Sequence, residues 1–203
     1  MPSASSPIGV FDSGVGGLSV LQALRAELPQ ERFVYLADNG YAPYGERGDA
    51  FVAARTQAIT AYLRNVHGIK ALVVACNTAT SSAIVLLRQT HPELPIIGIE
   101  PAVKPAAQGG SGSAVLVMAT PLTIREDKYQ KLAASFCDLA DVISLPCPGL
   151  AERIEQGHFE DETLDAYLQD LFRPYRDRDV EYIVLGCTHY PFIRRQIADV
   201  VGD

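Results

Sequence analysis

Three runs of aliphatic and β-branched residues in the first half of this chain return, in the same order, in the second half. Ile8-Gly-Val-Phe-Asp12 is matched by Ala114-Val-Leu-Val-Met-Ala-Thr120, and Phe33-Val-Tyr-Leu-Ala-Asp38 by Asp141-Val-Ile-Ser-Leu-Pro-Cys147. Ala71-Leu-Val-Val-Ala-Cys76 is matched by Tyr182-Ile-Val-Leu-Gly-Cys187. Each run has the composition of a strand buried on both faces. Each also stops at a polar or sulfur-bearing side chain. The offset is roughly 110 residues throughout, too long for a solenoid repeat and right for a duplicated α/β unit.

Helical patterns fill the gaps. Residues 17–28 read as a helix stopped by Pro29, and 49–66 as one carrying Phe51, Ala58, Ile59, Tyr62 and Leu63 near the 3.6 period. A third covers 78–90, with Thr78 as its N-cap; others are expected at 123–139, 148–156, 162–172 and 191–201. A short strand is expected at 95–99, and the Gly/Ser run 109–113 reads as a linker. Such alternation implies parallel sheets covered on both faces. The expected fold is α/β: two pseudo-symmetric parallel-sheet domains, residues 1–100 and 101–203, with the active site in the cleft between them.

Ligands of parallel α/β sheets bind at the carboxyl ends of the strands, so each half places one thiol where a small molecule would sit. Cys76 is followed by Asn77 and Thr78, and Cys187 by Thr188 and His189. A helix start can lower a thiol's pKa, and a neighbouring histidine can relay its proton. Two facing thiols could act as acid and base; the alternative is a pair of packed structural cysteines. Zinc would draw on Cys76, Cys147, Cys187 and His189, but there is no Cys-x-x-Cys spacing and Cys147 lies between Pro146 and Pro148. No metal site is expected. Cys137 reads as a helix residue packed in the core.

Asp12-Ser13-Gly-Val-Gly-Gly-Leu18 opens a helix after the first strand, where glycines allow close approach to a ligand and backbone N–H groups face anions. Ser19 stands where a dinucleotide fingerprint needs glycine, and no Gly-Lys-Ser/Thr follows. Asp12 could instead cap that helix. The loop Asp38-Asn-Gly-Tyr-Ala-Pro-Tyr44-Gly45 also sits at the carboxyl edge, although an ordinary connecting loop would look similar. Glu152 and Glu155 lie on a short helix and taken alone read as surface acids.

A net charge of −7 with no Lys/Arg run disfavours direct nucleic-acid binding. No apolar stretch approaches the roughly 20 residues needed to span a bilayer. The N-terminal segment lacks a signal-peptide core, and four cysteines without one suit a reducing cytoplasm.

Together these segments resemble the glutamate racemases of the cofactor-independent aspartate/glutamate racemase superfamily. The likeness runs from Ile8 to about Ile197. It is carried by Phe11-Asp-Ser-Gly-Val-Gly-Gly-Leu-Ser19, Pro43-Tyr-Gly45, Ala75-Cys-Asn-Thr-Ala79, Ala119-Thr-Pro-Leu-Thr123 and Leu185-Gly-Cys-Thr-His-Tyr-Pro191. The resemblance implies interconversion of L- and D-glutamate for peptidoglycan synthesis, without pyridoxal phosphate or metal. Cys76 and Cys187 would flank the substrate Cα, one removing its proton and the other delivering one to the opposite face. Asp12 would assist Cys76, and His189 with Glu155 would assist Cys187. Substrate contacts are expected from Asp12, Ser13, Tyr44, Gly45, Asn77, Thr78, Thr188 and His189, with Thr120 and Thr123 as additions. The resemblance further implies a homodimer and, as in some family members, an inhibitory contact with DNA gyrase.

Two departures stand out. The family's Gly-Asp-Thr reads Ala37-Asp38-Asn39 here, and family members continue past the position of Asp203 to complete the first domain. A chain ending there is expected to be aggregation-prone or weakly active. Aspartate racemisation, or a truncated binding protein with little activity, are the alternatives.

Overall fold

The computed structural model describes residues 3–109, 114–159 and 161–202. Four strands form the first sheet: β1 (Ile8–Asp12), β2 (Phe33–Ala37), β3 (Ala71–Val74) and β4 (Ile96–Gly98). All neighbours are parallel, in the order β2-β1-β3-β4. β5 (Ala114–Ala119), β6 (Asp141–Pro146) and β7 (Val180–Leu185) form a second parallel sheet in the order β6-β5-β7. The sequence matches set β1 against β5, β2 against β6 and β3 against β7. The order β2-β1-β3 thus repeats as β6-β5-β7, the arrangement a duplicated unit requires.

The helices are α1 (Leu18–Glu27), α2 (Asp49–His67), α3 (Asn77–Thr90), α4 (Val103–Gly109), α5 (Pro121–Arg125), α6 (Asp127–Ala134), α7 (Leu150–Glu155), α8 (Glu162–Phe172) and α9 (Arg194–Val201). On the first sheet, α2 and α3 bury Val52, Ile59, Leu63, Ala83 and Leu87 against Phe11, Leu72 and Val74. On the second, Leu150, Ile154, Leu164, Leu168 and Ile197 pack against Leu116, Met118 and Leu145. Burying such side chains contributes about 1.5–3 kcal/mol each. α4 follows β4 in the chain, but its Val103, Ala106 and Ala107 join Val115, Val117 and Val184 in a core beneath the second sheet. No helix among the described residues is long and apolar enough to cross a membrane.

Several expectations need correction. The helix expected over 123–139 is two, α5 and α6, because Glu126 is extended (φ −69°, ψ 135°) and serves as the cap of α6. α5 starts early because Thr120 caps it, accepting from Thr123 N–H, and Pro121 opens it. Cys137 falls beyond α6 and is exposed rather than packed in the core. The cap of α3 is Cys76, whose Sγ accepts from Ala79 N–H at 3.4 Å, and Thr78 lies inside the helix. β7 was expected to be buried throughout, yet Glu181 and Tyr182 are exposed: among the described residues it pairs only with β5. Of the linker expected at 109–113, Gly109 ends α4 and residues 110–113 lie outside the described residues.

Candidate active site

Six strand ends converge: Asp12 at the end of β1, Asp38 after β2, Cys76 after β3, Thr120 after β5, Cys147 after β6 and Cys187 after β7. They sit at the carboxyl edges of both sheets, where an open parallel sheet can position side chains without interrupting its ladder. Direct bonds join the two sides. Thr188 Oγ1 donates to Asp12 Oδ2 at 3.0 Å, and Val15 N–H donates to Glu155 Oε2 at 3.0 Å. The approach is close: a Cβ on Gly16 would lie 2.5 Å from Thr188 Oγ1. Only glycine fits there.

Cys76 is 5% exposed and Cys187 8%. Cys76 Sγ lies 3.7 Å from Ser13 Oγ. Burial pushes its thiol up to about 12, with the Asp12 carboxylate adding to the rise and Ala79 N–H opposing it. Asp12 itself is fully buried. Burial raises its carboxyl above the usual range, while Gly14 N–H at 2.9 Å and the Thr188 hydroxyl oppose the rise. Tyr35 Oη donates to Gly14 O at 2.7 Å, fixing the loop that carries Asp12 and Ser13.

Cys187 has different neighbours. Its Sγ lies 3.7 Å from His189 Nδ1, and His189 Nε2 lies 2.5 Å from Glu155 Oε2. Burial holds this thiol well above its ordinary value; His189 N–H works against that and the Cys76 sulfur reinforces it. A thiol, an imidazole and a carboxylate in line form a route along which a proton can move. Glu155, which alone reads as a surface acid, is drawn in by both His189 and Val15.

Thr78, Thr120 and Thr123 form a triangle of buried hydroxyls, with Oγ1–Oγ1 separations of 3.0, 3.1 and 2.9 Å. Thr78 belongs to α3 of the first sheet and the other two to the start of α5, so the triangle spans the cleft. Beside it, Asn77 Oδ1 is buried without a hydrogen-bond partner among the described residues. Such an atom in a ligand-binding position is an unused acceptor. Tyr44 is buried, and Gly45 sits against Thr120. Ser13, Asn77, Thr188 and His189 are buried at the same junction.

The sequence pattern did not single out Tyr35, Glu46 or Arg55. Arg55 was detectable: it lies on α2 beside the buried positions Val52, Thr56 and Ile59, where a charge needs a partner. Cys147 is buried in the same core as Cys187, and its Sγ lies 3.3 Å from Leu145 O. Among the described residues no group of three or more His, Cys, Asp or Glu side chains could hold a metal ion. A cavity of about 380 Å³ lined by Leu116, Tyr175, Ile183 and Val200 lies away from both thiols and gathers none of these groups.

Residues 12–203 match the family model described as Asp/Glu/Hydantoin racemase. A glutamate racemase of Clostridium perfringens (strain SM101 / Type A) is 45% identical over 199 residues, spanning 98% of this chain and 76% of the relative. One from Clostridium botulinum (strain Langeland / NCTC 10281 / Type F) is 49% identical over 197 residues, spanning 97% and 76%. The crystal structure of Escherichia coli glutamate racemase, in complex with L-glutamate and the activator UDP-MurNAc-Ala, superposes with a TM-score of 0.85. That match is 32% identical and covers 98% of this chain and 75% of the other.

Proposed function

This chain belongs to the Asp/Glu/hydantoin racemase family, and we propose that its cleft interconverts L- and D-glutamate by moving the α-proton between two cysteines. The observation that carries the reading is the pair of buried thiols at equivalent strand ends, Cys76 beside Ser13 and within the field of Asp12, and Cys187 beside His189. One sulfur, as thiolate, takes the α-proton and becomes a thiol. The other thiol gives its proton to the opposite face of the carbanion and becomes the thiolate. Atoms and charge balance without a cofactor. The next turnover in the same direction needs the first sulfur to lose the proton it gained and the second to regain the one it gave, through Asp12 on the Cys76 side and through His189 and Glu155 on the Cys187 side.

Burial favours the neutral form of both thiols. The α-ammonium of a bound amino acid brings a positive charge beside them and favours the thiolate. Asn77, with its free acceptor, and the hydroxyls of Ser13, Thr78, Thr120, Thr123 and Thr188 supply polar contacts for the ammonium and carboxylates; Tyr44 and Gly45 close over them. Fixed donors near a carboxylate also stabilise the charge that develops on it when Cα is deprotonated. The two units divide near residue 100. The family resemblance supports a cytoplasmic homodimer supplying D-glutamate for peptidoglycan.

The test is direct. Purified protein incubated with L-glutamate, or separately with L-aspartate, is followed by chiral chromatography. Approach to an equal mixture of glutamate enantiomers, faster than for aspartate, is expected. Racemisation of aspartate alone would move the assignment to that shorter acid, and turnover of neither would reject it.

A further inference from the structure

Arg55 lies outside the thiol cluster, on α2, yet its guanidinium is committed in two directions. Toward β2, Nε donates to Asp38 Oδ2 at 2.9 Å and Nη2 to Asp38 Oδ1 at 2.6 Å, a two-pronged ion pair with a carboxylate that is 8% exposed. Above it, the guanidinium carbon is 3.8 Å from the centre of the Tyr41 ring. Asp38 also accepts from Tyr44 Oη, at 2.5 Å to Oδ2. One carboxylate therefore holds the arginine and the tyrosine together, and the Asp38 bond raises the arginine's pKa further.

The segment gripped in this way is the one that meets the second unit. Asp38 N–H donates to Asp12 O at 3.0 Å, which anchors the start of the loop to β1. Gly45 is so close to the opposite side that a Cβ would lie 2.5 Å from Thr120. The Glu46 carboxylate accepts from Gly149 N–H, ahead of the helix that carries Glu155. None of the bonds holding Cys76, Cys187, His189 or Glu155 passes through Arg55.

We propose that Arg55 is a positioning residue for substrate binding: through Asp38 and Tyr41 it fixes the 38–46 loop so that Tyr44 and Gly45 close against Thr120. This rests on the reading of the cleft as the glutamate site. The side-chain chemistry is specific. A lysine is a point charge that can neither bridge both oxygens of Asp38 nor stack on Tyr41 as a planar cation. Without the arginine, Asp38 is a buried carboxylate held by one phenol, and the loop loses its fixed end.

Because the proton-transfer groups keep their own bonds, the loss should appear in binding. In the full chain, Arg55→Met is expected to raise KM for glutamate about tenfold or more while kcat changes by less than about threefold. Arg55→Lys should recover only part of the KM. Tyr44→Phe should add little to Arg55→Met, because both act through Asp38. Circular dichroism and a melting curve on each variant check that the chain is folded. Should Arg55→Met not fold, Arg55→Lys and Tyr44→Phe alone still decide the matter through their KM and kcat. A KM within about twofold of wild type in folded Arg55→Lys and Arg55→Met, or an equal fall in kcat with KM unchanged, would overturn the proposal. Wild-type protein inactive on glutamate would instead remove the reading on which it rests.

Discussion

Cys76 and Cys187 end equivalent strands of two sheets with the same order, but the chain equips them differently. Cys76 follows β3, which is flanked on both sides, and caps a 14-residue helix with Ala79 N–H aimed at its sulfur. Cys187 follows a strand that is at the sheet's edge among the described residues and leads into a 3-10 turn at Tyr190–Ile193, so no long helix starts at it. In place of a helix end it has His189, itself bonded to Glu155. A duplicated scaffold has thus kept the position of the thiol and changed how it is served. One sulfur lies beside a helix-start amide and in the field of a buried carboxyl, the other beside an imidazole whose carboxylate partner comes from a neighbouring helix.

If both sulfurs are needed despite these different surroundings, Cys76→Ala and Cys187→Ala should each lower kcat by roughly a thousandfold or more in either direction. A variant keeping a tenth of wild-type turnover would mean that only one side does chemistry. Replacing the partners sharpens the contrast. If Asp12 and His189 act through the sulfurs as proposed, Asp12→Asn and His189→Asn should each cost roughly ten- to a hundredfold. Because the enantiomers are equally stable, kcat/KM must fall equally in both directions for either variant. The difference should surface in the primary isotope effect with Cα-deuterated substrates. Asp12→Asn should raise it for the enantiomer that Cys76 deprotonates, and His189→Asn for the other. The same enantiomer responding in both variants would show that the two partners serve one sulfur.

The second unit offers a quieter comparison. Where the first ends β2 with the paired carboxylate Asp38, the second ends β6 with Cys147, whose thiol burial pushes from an ordinary value of 9.0 up to about 12. A thiol whose pKa is raised by folding keeps its proton in the folded state after the unfolded chain has lost it. Its contribution is therefore present below about pH 9 and is lost as pH rises toward 12, at roughly 1.4 kcal/mol per pH unit. Cys147→Ala should flatten the alkaline fall in stability measured by urea unfolding by about one group's share. An unchanged slope would place the alkaline sensitivity in other groups. Cys137→Ser is the smallest effect expected. That thiol is exposed, so turnover should not move, and a loss of activity would reveal a contact the exposed position does not suggest.

Much of this was legible in the sequence because buried parallel strands advertise themselves. Runs such as Leu72-Val-Val74 admit few other readings, and the residue after each run falls at a carboxyl edge by topology alone. The repeated offset supplied the pairing of the sheets. What periodicity could not report was where a helix is interrupted or begins: Glu126 turns extended between two short helices, and the first of them starts from the Thr120-Pro121 pair rather than from an apolar repeat. It also could not tell the exposed Cys137 from a packed one, because the helix expected there ends at Ala134. Arg55 escaped for a further reason. Its importance lies in a contact with Asp38, and spacing along one helix does not show what stands opposite.

Two sulfurs working from opposite faces make a demand that no single base meets. L-Glutamate carrying ordinary hydrogen at Cα is incubated with the protein in deuterium oxide, and both enantiomers are isolated at low conversion for mass analysis. The D-glutamate formed should carry one solvent deuterium at Cα, while the remaining L-glutamate stays unlabelled, because the thiol that takes the proton is not the one that returns it. Product retaining its original hydrogen would mean that one group carries the proton from face to face, and the two-thiol account would fail.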